Sequence, residues 1–249
     1  MSIFDALNTT DDIKEDTDVL GGSFGPVNSG AYHATISMAY TEQAKSGALA
    51  LKLTFVTDDN KTINQDCWMT SGNEKGNKNY YINKNDQSKN YLPGFTLANG
   101  IALLAAGKEI AEIVKETGED KVIKLYNFTA KKELPTQKNV ITGLLNKSIT
   151  LGVLKQKVDK NVQNSEGKWV PGGESREVNE VSKVFRRDDG MTVAEILAKA
   201  DEANFLTSWI EKFTDSVIDK TTKDVSKPGL PGASQGKTDK PATSLFATS

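Results

Sequence analysis

Tyr32-His33-Ala34-Thr35-Ile36-Ser37-Met38-Ala39-Tyr40 opens the stretch that decides the fold, Gly30–Tyr91. Tyr32, Ala34, Ile36, Met38 and Tyr40 alternate with His33, Thr35, Ser37 and Ala39, the period of two that marks a half-buried strand. Leu49–Thr57 repeats the pattern, with Leu49, Leu51, Leu53 and Phe55 inward and Ala50, Lys52 and Thr54 outward. Thr62–Thr70 is a third strand, with Ile63, Cys67 and Met69 inward and Thr62, Asn64, Asp66 and Trp68 outward. Gln65 interrupts its inner face, so a bulge or register shift there would change where Trp68 points. Lys45-Ser46-Gly47 and Asp58-Asp59-Asn60 supply residues suited to short hairpin turns. A three-strand meander with a decorated outer face follows.

Beyond the meander, four lysines, one acid and three tyrosines lie between Lys75 and Tyr91. Two readings fit this loop. Asn/Lys/Gly-rich segments form solvated connections, whereas cations interleaved with rings suit a single-stranded nucleic acid, tracking phosphates and stacking on unpaired bases. Lys52 and Trp68 share one face of the adjoining sheet, which favours a binding surface. The candidate contacts are Lys52, Trp68, Lys75, Lys78, Tyr80, Tyr81, Lys84, Lys89 and Tyr91, with Lys155, Arg186 and Arg187 as weaker members of the same groove.

The chain has 249 residues, enough for a full-sized core, and a net charge of −2. That balance conceals an asymmetry. Asp5–Asp18 holds six acids against Lys14 alone, while Lys121–Lys168 holds ten lysines against Glu133, Asp159 and Glu166. The acidic arm could lie over the basic groove or simply keep the chain soluble. No apolar run approaches the ~20 residues of a membrane span, and Met1–Asp5 lacks the start of a signal peptide. Both points predict a cytoplasmic protein without a membrane partner.

Farther along, Thr96–Ala106 and Lys108–Thr117 read as short helices ended by Gly107 and Gly118. An extended piece around Val122–Phe128 is one reading of the less regular segment Lys121–Pro135. Ser148–Val158 and Arg176–Phe185 are strand-like, and Trp169, just before Val170-Pro171, reads as an edge cover. Thr192-Val193-Ala194-Glu195 is a capping box opening a helix. Leu206, Trp209, Ile210, Phe213 and Val217 follow one apolar helical face, placing Trp209 in packing. From Thr221 the composition predicts a disordered tail, whose apolar pair Leu245 and Phe246 is a candidate partner tether.

Catalytic constellations are scarce. His33 is the single histidine and Cys67 the single cysteine, so no His-based dyad with cysteine or a second histidine is available and no Cys/His zinc set can be assembled. Asp58-Asp59 and Asp188-Asp189 point to opposite strand faces and suit turns and caps better than a metal. The expectation is no enzyme, no metal and no cofactor.

A meander, an intervening helix and further strands is the order of an OB-fold barrel. The segments Gly30–Ile36, Leu49–Phe55, Leu144–Leu151 and Glu177–Phe185 resemble those of bacteriophage single-stranded DNA-binding proteins, a likeness covering roughly 28–190. The resemblance implies an OB-fold that coats unwound DNA during replication, recombination or repair without catalysis, and a tail that contacts replication or recombination proteins. Family tails are often acidic, whereas 221–249 carries Lys223, Lys227, Lys237 and Lys240 against Asp224 and Asp239. The expected protein is mainly β with added helices: an acidic N-terminal arm (1–27), an OB-fold-like barrel with a Lys/Tyr-rich insertion (28–190), a C-terminal helical extension (191–220) and a flexible tail (221–249). The alternative is a non-catalytic protein-interaction or structural module on the same barrel.

Overall fold

The computed structural model describes residues 25–222. The acidic arm Asp5–Asp18 and the tail pair Leu245 and Phe246 lie outside them. The meander is present as β1 (Gly30–Gln43), β2 (Leu49–Thr57) and β3 (Thr62–Trp68), paired antiparallel in that order. Leu51, Leu53 and Phe55 are buried as the alternation requires.

Two local departures from simple alternation matter for the surface. The β1–β2 register shifts between Ile36 and Met38. One extra residue reverses the parity beyond it, so Ala39 enters the core and Tyr40 joins the outer row with Lys52. Neither a bulge nor a register shift occurs at Gln65: β2 and β3 pair without interruption, and Gln65 stays on the inner face. Trp68 therefore keeps its outward direction and is 43% exposed.

After β3 come a small hairpin, β4 (Tyr80–Ile82) with β5 (Lys89–Tyr91), and the helices α1 (Pro93–Ala106) and α2 (Ile110–Thr117). Gly107 ends α1 in the left-handed conformation with φ 70°, a position that favours glycine. Gly94 is required for a different reason. A Cβ there would lie 2.3 Å from the Trp68 carbonyl oxygen, so only glycine lets α1 start against β3.

The segment Lys121–Pro135 belongs to a hairpin of β6 (Gly118–Asn127) and β7 (Lys132–Ile141), paired over ten residues on each strand. A longer one follows, β8 (Ser148–Gln163) with β9 (Trp169–Phe185). β8 runs beside Gly30–Thr35, while β7 meets β1 only at Tyr40 and Thr41. Both pairings are antiparallel, so the two hairpins leave the sheet at opposite ends of β1. Trp68 stands opposite Ala50, and Ala50 opposite Glu42, which places it at the β6–β7 end.

The order along the main sheet is β3-β2-β1-β8-β9, and it does not close into a barrel. The edges β3 and β9 share no ladder; instead the Gln65 side-chain oxygen accepts the Val181 N–H at 2.8 Å. The polar residue that interrupts the inner face of β3 thus satisfies an edge donor of β9. α1 packs on both edge strands, and its buried Ala98, Ile101 and Ala102 cover the core between them.

The final elements are α3 (Val193–Leu197), α4 (Asn204–Phe213) and β10 (Val217–Asp219). The capping box is formed in full: the Thr192 hydroxyl accepts the Glu195 N–H, and Glu195 accepts the Thr192 N–H at 2.8 Å. Trp209 is buried with its ring edge-on to Phe185 at 6.3 Å. Val217 is not part of that helix, which ends at Phe213; it starts β10, a parallel neighbour of β8. The helical extension is thereby built into the main sheet. Among the described residues no helix is long and apolar enough to cross a membrane.

Candidate nucleic-acid interface

The outer face of β1–β3 carries a linked row of rings and charges. The Lys52 ammonium lies 5.6 Å from the Trp68 ring centroid and pairs with Asp66 and, at 3.6 Å, with Glu42. Glu42 also accepts a hydrogen bond from Lys138 on β7 at 2.9 Å, and Lys138 sits 5.8 Å from the Tyr40 ring. The hydrogen bond from Lys138 holds the Glu42 carboxyl below its ordinary range despite partial burial. Burial alone would lower Lys52, but its hydrogen bond to Asp66 and the two carboxylate charges raise it. Lys52 is consequently a brace for Trp68 and not a free cation.

The Lys/Tyr loop is a built element. Gly72 at φ 81° approaches the Ser46 carbonyl too closely for a Cβ, and the Asn73 N–H donates to that oxygen at 2.8 Å. This ties the loop to the β1–β2 turn. Ser71 N–H to Lys78 carbonyl (2.9 Å) and Leu92 N–H to Asn79 carbonyl (2.8 Å) close its base. Lys78 and Lys89 come within 5.6 and 5.2 Å of the Tyr80 ring. A cleft of about 560 Å³ results, lined by Trp68, Lys75, Lys78, Tyr80 and Tyr81 together with Leu92 and Pro93. Among the described residues, no carboxylate forms an ion pair with Lys75, Lys78, Lys84 or Lys89.

The remaining sequence candidates are placed elsewhere. Lys84 lies in the exposed β4–β5 turn, and Lys89 reaches back to Tyr80 from β5. Tyr91 lies tilted against Phe95, centroids 5.0 Å apart, and lines a neighbouring cleft of about 540 Å³ with Leu97, Val184 and Leu197. Lys155 pairs with Glu177 at 2.9 Å, Arg186 with Asp189, and Arg187 with Asp58 at 2.9 Å. The Lys155 N–H donates to Ser29 and the Asp58 N–H to His33, so this group belongs to the opposite end of β1 from Trp68. The structure does not bring these three cations into the Trp68 cleft.

Tyr40 and Lys138 are the additions that sequence reading missed; the parity reversal in β1 hid the first. Trp169, expected as an edge cover, is 69% exposed at the far hairpin. Cys67 is fully buried, and burial pushes its thiol up to about 12, the state of an inert core residue. Among the described residues there is no cluster of three or more His, Cys, Asp or Glu able to hold a metal ion. No known protein-family model matches the chain, and no curated protein matches it in sequence.

Proposed function

We propose that this chain binds single-stranded DNA without sequence preference and without catalysis, protecting it during replication, recombination or repair as bacteriophage single-stranded DNA-binding proteins do. One observation carries the reading: a cleft that gathers Trp68, Tyr80 and Tyr81 with Lys75 and Lys78, which pair with no carboxylate among the described residues. Exposed rings stack on bases of any identity, and unpaired ammonium groups replace the counterions of the phosphates. Support also comes from the strand order β3-β2-β1-β8-β9 with α1 between the third and fourth of these strands in sequence, which fits an opened, OB-like sheet.

Titration of fluorescent single-stranded, duplex and RNA oligonucleotides at several salt concentrations tests it. The expected result is preferential single-strand affinity that falls steeply with salt. Replacing Lys75, Lys78 and Lys89 by Ala should make the salt slope shallower by about 0.7 for each phosphate no longer neutralised. Absence of single-strand binding at 20 mM-range salt, on the order of a 20–30 Å Debye length, overturns the reading. The apolar cleft lined by Tyr91, Leu97, Val184 and Leu197 favours a second reading, a protein-interaction module, for which nucleic acid would not bind and the cleft alone would be used.

A further inference from the structure

The β6–β7 hairpin is a projecting feature that the cleft leaves unused. Its strands are ten residues long, and the stretch beyond the pairing with β1, Lys132–Lys138, extends roughly 20 Å. Val122 and Tyr126 are 70% and 55% exposed, and Phe128 at the tip is 86% exposed with its ring edge-on to Tyr126 at 5.2 Å. A ribbon tip left to solvent ordinarily carries small polar residues, because an exposed ring gains nothing there. The turn is nevertheless well specified. Asn127 accepts the N–H groups of Thr129 and Ala130 at 3.0 and 2.9 Å, and Lys131 adopts φ 51°, so Phe128 is presented on a fixed scaffold.

Charge points to the occupant. Lys121–Lys138 holds five lysines against Glu133, a net of +4. Lys124, Lys131 and Lys132 make no ion pair among the described residues. The root of the ribbon is continuous with the Trp68 face, through Lys138, Glu42 and Lys52. An acidic protein would be attracted by the lysines alone; a string of unpaired bases also uses the two rings, which makes the strand the better fit.

We infer that the β6–β7 hairpin is a second stacking arm, over which a single strand leaving the Trp68 cleft continues. The inference rests on the single-strand reading of that cleft. It lengthens the footprint on DNA and places Tyr126 and Phe128 against bases, with Lys124, Lys131 and Lys132 on the phosphates. Both rings sit outside the core, so their removal leaves the fold intact.

The test uses the full chain and labelled oligothymidylates of graded length, comparing the unsubstituted protein with Tyr126→Ala/Phe128→Ala and with Lys124→Ala/Lys131→Ala/Lys132→Ala, each checked for an unchanged melting temperature. The shortest oligomers bound should be held equally by all three proteins. Longer ones should bind about tenfold or more weakly to the ring variant, the size of one or two missing stacks. The lysine variant should show a shallower salt slope on long oligomers only. Ultraviolet cross-linking should join thymine to Tyr126 or Phe128 in the unsubstituted protein. Equal affinity at every length, with no cross-link to the arm, overturns the inference and leaves the cleft standing. Unchanged DNA binding with loss of self-association in sedimentation overturns it too, making the arm a contact between copies. If the unsubstituted protein binds no oligomer, the reading of the cleft fails and the arm falls with it.

Discussion

Between Lys155 and Glu177 the β8–β9 hairpin carries five cations against four acids; between Lys121 and Lys138 the β6–β7 hairpin carries five against one. On β8–β9 the charges answer one another. Lys155 meets Glu177, Lys160 meets Glu174 and Lys168 meets Glu166, all at 2.9 Å. The first two cross between the strands and hold register at the modest gain of exposed ion pairs, and the third closes the turn. On β6–β7 the tip lysines Lys124, Lys131 and Lys132 have no such partners among the described residues. A ribbon that gives up internal pairing is suited to an external polyanion, and the ends of β1 are thereby divided between self-contained structure and a charged, ring-bearing surface.

The largest expected effect tests the structural end. Trp209 is buried against Phe185, and a Cβ at Gly152 would meet the indole at 3.1 Å, so β8 is notched to receive it. Trp209→Ala should cost about 3–5 kcal/mol of stability, read from denaturant unfolding. At a temperature where the variant stays folded, single-strand affinity should match that of the unsubstituted protein. A folded variant with an affinity loss as large as that of the cleft substitutions would abolish the division between the ends.

A matched pair of tryptophans gives the next largest effect. Trp68 stands over Lys52 in the cleft, whereas Trp169 is exposed at the paired hairpin opposite Gln163. Trp68→Ala should weaken single-strand binding by about 1–3 kcal/mol, the value of one base–ring stack. Trp169→Ala should change it by less than about 0.5 kcal/mol, as surface substitutions outside a site do. Fluorescence anisotropy on one oligonucleotide measures both. Equal losses would place the strand along the whole of β1 and dissolve the contrast.

Where one face is buried, the sequence made the structure readable. Leu51, Leu53 and Phe55 alternate because the core lies on one side of β2, and Thr192 with Glu195 spells out the cap of α3. Trp68 and the Lys/Tyr loop were legible for the complementary reason, as rings and cations where burial does not call for them. Tyr40 was hidden because one inserted residue beyond Ile36 exchanges the faces, and no single residue type announces such a shift. The β6–β7 ribbon was only partly legible, since its inner face is only half-buried at Ile123, Leu125 and Leu134 and imposes a weak hydrophobic period. Lys52, Lys155, Arg186 and Arg187 read as free cations because their carboxylate partners lie on other strands or beyond the turn. Charge pairing of that sort is a property of register, and composition does not contain it.

The smallest predicted effect concerns Glu42, the carboxylate that links the cleft to the arm. It accepts from Lys138 at 2.9 Å and lies 3.6 Å from Lys52, with its side chain 36% exposed. Because its folded-state pKa is lowered, the ionised carboxylate contributes stability that is fully present above the unfolded value of about 4.3. That contribution is lost as pH falls through the folded value. Solvent exposure limits it to about 1 kcal/mol or less. Glu42→Gln should therefore melt slightly below the unsubstituted protein at pH 7, with the gap closing as pH falls below the unfolded value and through the lowered folded one. The same change removes the anion that occupies Lys138, so single-strand affinity should rise a few-fold at low salt and return to parity as added salt screens both proteins. Loss of stability with unchanged affinity would confine Glu42 to holding the root of the arm. A fall in affinity would show that the Glu42–Lys138 pair is needed intact, as a support that holds Tyr40 and, through Lys52, Trp68 toward the strand. Only tighter binding with lower stability fits a surface that trades internal pairing for an external polyanion.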